Sequence, residues 1–248
     1  MKIVAYIGTS REETSNTFKV VQALVKQMER DSGVEVEHQI YHPENLTMVA
    51  CKGTVNCFKG KACPLDERDD TPRVKRAMLE ADVIILGSPV RFHHVSGSVK
   101  TLMDRTSYWG HLFKLTGKVG LSVSVSSTNG NEYVDYYLDK FHLYQGIHAV
   151  KPLSLLMDVL DQEEIDELVR EASQAVLTAY RDLKNLHPSQ KQEVAFQTFK
   201  KMYVAQEGKT SESQYWMNNG LADFETFKAF RDAVLNGEAV KEKTRNLY

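Results

Sequence analysis

Five times before residue 184, an apolar run of strand length gives way to a segment whose apolar residues recur at helical spacing. The runs are Lys2 to Ile7, Val34 to Tyr41, Val83 to Val90, Val119 to Ser126, and Ile147 to about Met157. The helical segments are about Asn16 to Asp31, Val74 to Ala81, the stretch after Ser96-Gly97, Tyr133 to Gln145, and Gln162 to Leu183. Neighbouring parallel strands cannot be joined by a tight hairpin, so this alternation predicts an α/β fold: a parallel sheet with helices on both faces. Val83-IILGSPV is apolar throughout and suits a central strand, whereas Val34-EVEHQIY alternates and suits a position nearer an edge. The doubly wound, five-stranded order 2-1-3-4-5 follows as the expectation. Its ligands sit at the carboxyl ends of the strands, where strands one and three diverge.

Three polar turns fall on that edge: residues 8–17, 87–96 and 126–132. In the first, Gly8 ends a buried strand and Ser15-Asn16-Thr17 opens a helix, with Thr9, Ser10 and Arg11 between. The free N–H groups and the dipole of a helix N-terminus favour a phosphate there. Helix capping alone explains the same residue types at any single turn. The convergence of three such turns on one edge favours a ligand.

Composition narrows the partners. A formal net charge of −2, with 26% charged residues, gives no electrostatic reason to expect nucleic acid or an anionic membrane. No apolar stretch reaches transmembrane length, and three cysteines do not make a secreted disulfide framework. The chain enters a strand at once, so a cytoplasmic location is the default expectation. Gly-x-Gly-x-x-Gly, the Walker motif and Gly-x-Ser-x-Gly are all absent. After His187-Pro188 the strand pattern stops. Helices are expected from Gln190 to about Gln206 and from about Asp223 to Leu235, with Gly208-KTSES as a turn and Tyr215-Trp216-Met217 in the link. Residues 1–186 therefore read as the core domain and 187–248 as a helical C-terminal extension.

Gly8-TSREETSNT, Gly87-SPVRFHHVSGSVKTLMDR and Gly117-KVGLSVSVSSTNGNE resemble the three ligand loops of the NADPH-dependent FMN reductase and iron–sulfur flavoprotein family, within the flavodoxin-like fold. The second loop matches at Gly87, Ser88, Pro89, Val90, Phe92, Ser96, Gly97, Lys100, Asp104 and Arg105; Arg91 stands where relatives often carry an uncharged residue. The resemblance covers about residues 1–180 and implies a flavoprotein with non-covalent FMN. The phosphate would lie on Thr9, Ser10, Arg11, Ser15, Asn16 and Thr17. The ring would lie between Ser88, Pro89, Val90, Arg91, Phe92 and His93 on one side and Ser126, Ser127, Thr128, Asn129 and Gly130 on the other. A flavin ring needs an apolar slab with hydrogen-bonding groups at its edge, and these loops provide both. His93 is a candidate proton donor, with a simple loop histidine as the competing reading. Asp104-Arg105 reads as a surface or subunit ion pair.

Cys51-KGTVN-Cys57-FKGKA-Cys63-PLDERDD resembles the family's cysteine loop, but Thr54 occupies the expected second ligand position. Four thiolates normally hold a [4Fe–4S] cluster, so three make a cluster unlikely and leave Cys51, Cys57 and Cys63 only a residual possibility as metal ligands. The implied activity is that of an NAD(P)H oxidoreductase passing electrons through FMN to a small acceptor: a flavin, a quinone, or a nitro or azo compound. The rival readings are an FMN electron carrier with a protein partner and no NAD(P)H oxidation, and a module that kept the fold without the flavin. A homodimer or homotetramer is expected.

Overall fold

The structure, a computed structural model, describes residues 1–11 and 14–238. Its sheet is parallel throughout and runs in the order 2-1-3-4-5. Strand β1 is Lys2–Ile7, flanked by β2, Glu37–Tyr41, and β3, Val83–Pro89. Strand β4, Val119–Ser126, lies beyond β3 and pairs with two short strands, β5 at His148–Ala149 and β6 at Leu153–Leu156. The single fifth strand expected from the sequence is thus split. Gly120 pairs with Ala149 and Val123 with Leu153, so the edge strand takes four steps where β4 takes three. The extra residue falls at Val150-Lys151-Pro152, where proline has no N–H to give to the ladder. β2 is also shorter than its alternating pattern suggested, because Val34 to Val36 lie outside the ladder.

Alternation along the strands separates two apolar layers. Ile3, Ala5 and Ile7 of β1 face helix α1, Asn16–Asp31, and helix α5, Gln162–Asp182. Val4 and Tyr6 face the opposite layer, with α2 (Thr71–Glu80), α3 (Gly97–Arg105) and α4 (Asn131–Gln145). α1 forms because Phe18, Val21, Leu24, Val25 and Met28 fall on one stripe and bury it fully. Each such side chain contributes about 1.5–3 kcal/mol of transfer free energy. α5 begins at a reciprocal cap between Asp161 and Glu164.

Beyond α5, α6 (Gln190–Val204), α7 (Ser211–Asn218) and α8 (Phe227–Leu235) surround an aromatic cluster of Phe196, Tyr203, Trp216, Phe227 and Phe230. The core contributes Phe113 to this cluster, from the loop before β4. Trp216 Nε1 donates to the His111 carbonyl at 2.8 Å, and Gln192 Nε2 to the Ile147 carbonyl at 2.8 Å. The polar run after Gly208, read above as a turn, opens α7: the Thr210 hydroxyl accepts from Ser213 N. Trp216 therefore lies in a helix and not in a link. α8 starts at Phe227, four residues later than expected, behind its Thr226 cap.

Candidate functional site

A cavity of about 620 Å³ opens at the carboxyl ends of β1, β3 and β4. This is the switch point of the sheet, and the volume lies within the ~300–1,000 Å³ usual for small-molecule sites. Each loop supplies one wall. From the first come Thr9, Arg11, Thr14, Ser15, Asn16 and Thr17. Ser15 caps α1, its hydroxyl accepting from Phe18 N at 3.3 Å, so the capping reading holds as well. The N–H groups of Asn16 and Thr17 belong to the first turn, where no preceding turn offers an acceptor. Arg11 is exposed beside them and adds a positive charge.

The second wall runs from Pro89 to His93. Arg91 and His94 exchange both backbone hydrogen bonds, at 2.8 and 3.0 Å, closing a two-residue hairpin. Its central residues, Phe92 (φ +47°) and His93 (φ +58°), are both left-handed, a conformation that costs a non-glycine residue about 1–2 kcal/mol. Phe92 stands clear of the protein, 99% exposed. The His93 ring meets Tyr133 edge-on at 5.6 Å, and the Arg91 guanidinium donates to the Val90 carbonyl of its own loop.

The third wall is Val125 to Asn129, with Met157 behind it. Gly130 holds φ +87° just outside the cavity. A Cβ there would fall 2.8 Å from His93 Nδ1 and 3.0 Å from Val90 Cγ1, so glycine is what lets the second and third loops meet. Three of the residues expected at the cofactor do not line this cavity. Ser88 is fully buried, donating to the Pro89 carbonyl and accepting from Ser96 N. Ser10 points to solvent, and Gly130 acts through spacing. Thr14, Val125 and Met157 line the cavity without having been anticipated; Met157 belongs to the segment after β6, whose approach only the folded sheet reveals.

A larger groove of about 1260 Å³ runs between α4, β5 and α6. Tyr136, 65% exposed, and Tyr144 line it, whereas His142 of the same helix is fully buried. Burial holds the His142 imidazole neutral, at a pKa of about 4.

The cysteine loop is organised by a different set of groups. Arg105, expected in a surface or subunit ion pair with Asp104, is fully buried and donates to Asp66, Asp69 and the Val49 carbonyl. Asp104 pairs instead with Lys100. Lys75 joins the cluster through Asp66 at 3.0 Å. Burial alone would raise the Asp69 carboxyl, but the Arg105 guanidinium and the N–H groups of Val49 and Thr71 outweigh it and hold Asp69 below the usual carboxylate range. Cys51 is exposed, and Cys57 and Cys63 are half-buried. Burial, with the neighbouring Cys63, raises the Cys57 thiol. Among the described residues no three histidine, cysteine or acidic side chains are placed to hold a metal ion. Four thiolates normally hold a [4Fe–4S] cluster and this chain has three cysteines, so its residues do not supply the usual ligand set for that group.

The sheet order and the cavity at its switch point define a flavodoxin-like protein. Residues 1–159 match the NADPH-dependent FMN reductase family, and the chain belongs to that family. It is similar to an iron–sulfur flavoprotein of Archaeoglobus fulgidus, with 32% identity over 193 residues, 76% of this chain and 84% of that protein. A second iron–sulfur flavoprotein, from Methanocaldococcus jannaschii, is 35% identical over 60% of this chain and 74% of its own length. Among solved structures, an NADH:FMN oxidoreductase in its apo form superposes with a TM-score of 0.56, at 18% identity, over 72% of this chain and 89% of that one. The structure of RosB with a bound flavin intermediate gives 0.60, at 13% identity, over 76% and 82%. At these identities the two structures support the fold alone. The chain is a flavoprotein oxidoreductase that uses FMN. The cavity fits that cofactor, with a helix N-terminus, hydroxyls and Arg11 at one end and Pro89, Val90 and the hairpin at the other. Among the described residues no helix is long and apolar enough to cross a membrane.

Proposed function

We propose that the protein oxidises NADH or NADPH and reduces a small acceptor such as a free flavin, a quinone, or a nitro or azo compound. The observation that carries this reading is the single cavity into which all three loops converge. When bound, FMN supplies the redox chemistry, accepting a hydride and returning electrons to the acceptor. The chain's own residues bind and orient. Arg11, Ser15, Asn16 and Thr17 hold the phosphate at the α1 N-terminus, where the helix dipole adds to the attraction. Pro89, Val90, Arg91, Phe92 and His93 face Ser126, Ser127, Thr128 and Asn129 across the space for the ring, while Thr9 supports the phosphate loop by accepting from Arg11 N. His93 lies at the cavity wall within reach of a ligand and is the proposed proton donor to a reduced acceptor. Residues 1–186 act as the FMN-binding unit. The extension braces the loop before β4, and a homodimer or homotetramer is the proposed assembly.

The test is the absorption spectrum of the purified protein under anaerobic conditions. Flavin bands that bleach on adding NADPH or NADH support the oxidoreductase. Flavin that neither nucleotide bleaches would leave an electron carrier with a protein partner, and a colourless protein that takes up no FMN would sink both readings.

A further inference from the structure

Beneath the third wall lies a hydrogen-bonded chain that the sequence motifs do not reveal. Asn131, the first residue of α4, is buried. Its Nδ2 donates to the Ser124 carbonyl at 3.0 Å, to Ser124 Oγ at 3.0 Å and to the Leu155 carbonyl at 3.2 Å. Carbonyl oxygens only accept, so these two backbone groups fix which way the amide faces. Its Oδ1 is thereby turned to Ser126, 2.5 Å away, and can only accept. The single hydroxyl proton of Ser126 is committed to Asn131, and the lone pairs of Ser126 are what remain for the cavity that this residue lines. Farther back, Ser124 Oγ lies 3.1 Å from Ser154 Oγ, and the Ser154 hydroxyl donates to Asp135, one turn along α4. With the Ser154 hydroxyl donating to Asp135, the Ser124 proton can turn to Ser154 Oγ, which leaves the Ser124 oxygen an acceptor for Nδ2.

We propose that Asn131 is a positioning residue for the cofactor: it makes Ser126 a dedicated acceptor in the cavity wall, so the site selects a ligand that presents an N–H or O–H donor at that point. The inference rests on FMN as the ligand, which carries such donors in its ribityl hydroxyls and its ring imide. It assigns work to a residue that does not itself line the cavity. It also explains why a buried amide with four hydrogen-bond partners stands at the first residue of α4, where it caps nothing.

The experiment is a double-mutant cycle on the full chain, titrating FMN into apoprotein and reading the quenching of flavin fluorescence. Ser126→Ala and Asn131→Ala should each weaken FMN binding about tenfold. The double variant should also lose about tenfold, not a hundredfold, because both changes remove one interaction. Ser126→Thr retains the hydroxyl and should bind nearly as the wild type does. Circular dichroism at the titration temperature shows that each variant is folded. If Asn131→Ala destabilises the fold, Asn131→Ser, which keeps a short polar group but cannot reach both carbonyls, replaces it in the cycle. Additive losses, or a folded Asn131 variant with wild-type affinity, overturn the proposal. A wild-type protein that binds no FMN overturns the cofactor reading and this inference together, and is told apart by the unmutated control.

Discussion

The phosphate loop and the cysteine loop are both polar and irregular, yet they use their polar groups in opposite ways. Around Cys51 to Asp70 the aspartates are satisfied within the protein: Arg105 and Lys75 join Asp66 and Asp69 in a buried cluster, and Asp70 accepts from Thr47 N at 2.7 Å. Around Gly8 to Thr17, Thr9, Arg11 and the first residues of α1 line an open cavity, while Ser10 lies outside it. A loop whose charges close on one another is a structural clasp. One whose donors converge on empty space is built to receive something. Residue type does not separate the two; the destination of each hydrogen bond does.

The largest test of that contrast is Arg105→Met, which leaves Asp69 buried without its cation and Asp66 with Lys75 alone. It should cost roughly 3–5 kcal/mol in urea unfolding, and a loss below 1 kcal/mol would show that the cluster is not what holds the loop. A second test uses His142, whose charge neither loop can compensate. Its pKa falls from 6.5 to about 4 on folding, so between those values the unfolded chain holds the proton and the native one does not. Stability should therefore fall as pH drops through that window, by up to roughly 3 kcal/mol at about 1.4 kcal/mol per pH unit, and His142→Phe should remove that part of the slope in pH-dependent denaturation curves. Third, Arg11→Gln should weaken FMN about tenfold in a fluorescence titration while leaving the unfolding midpoint unchanged, the reverse of Arg105. A drop in stability with affinity intact would erase the distinction between the loops. The smallest effect belongs to Cys51→Ser. This thiol is exposed, so stability should stay within about 0.5 kcal/mol and the flavin spectrum should not change. Iron and sulfide in the wild-type protein that vanish in this variant would show that the loop depends on thiolates after all.

The sheet order was legible because apolar runs and helical stripes reflect burial on both faces, and burial is what periodicity records. α7 was hidden for the same reason. Only Ser213 and Trp216 are buried along it, so its sequence carries almost no stripe, and the Thr210 cap was its one local signal. The split of the fifth strand was announced only by Pro152. In the site, fourteen of the seventeen residues that the family resemblance implied for the cofactor line the cavity. Ser88 does not line it because its hydroxyl turns inward to Ser96 N, and Met157 was invisible because it arrives from a distant segment. Arg105 looked like half of an Asp-Arg pair in the chain, whereas its partners Asp66 and Asp69 lie 39 and 36 residues away.

The aromatic cluster around Phe113 carries a consequence for the order in which the molecule is made. Trp216 reaches His111 across 105 residues of chain, and the other rings on Phe113 come from Phe196 onward. On the ribosome, the sheet and its first five helices can assemble before α6 to α8 emerge. Until then Phe113, only 1% exposed in the finished protein, lacks the aromatic rings that complete its cover. Synthesis thus passes through an interval in which a nearly complete core displays a sticky aromatic patch, and arrival of the last helices closes it. Truncation before α6 would prolong that interval indefinitely, and the expected result is aggregation of an otherwise well-ordered sheet.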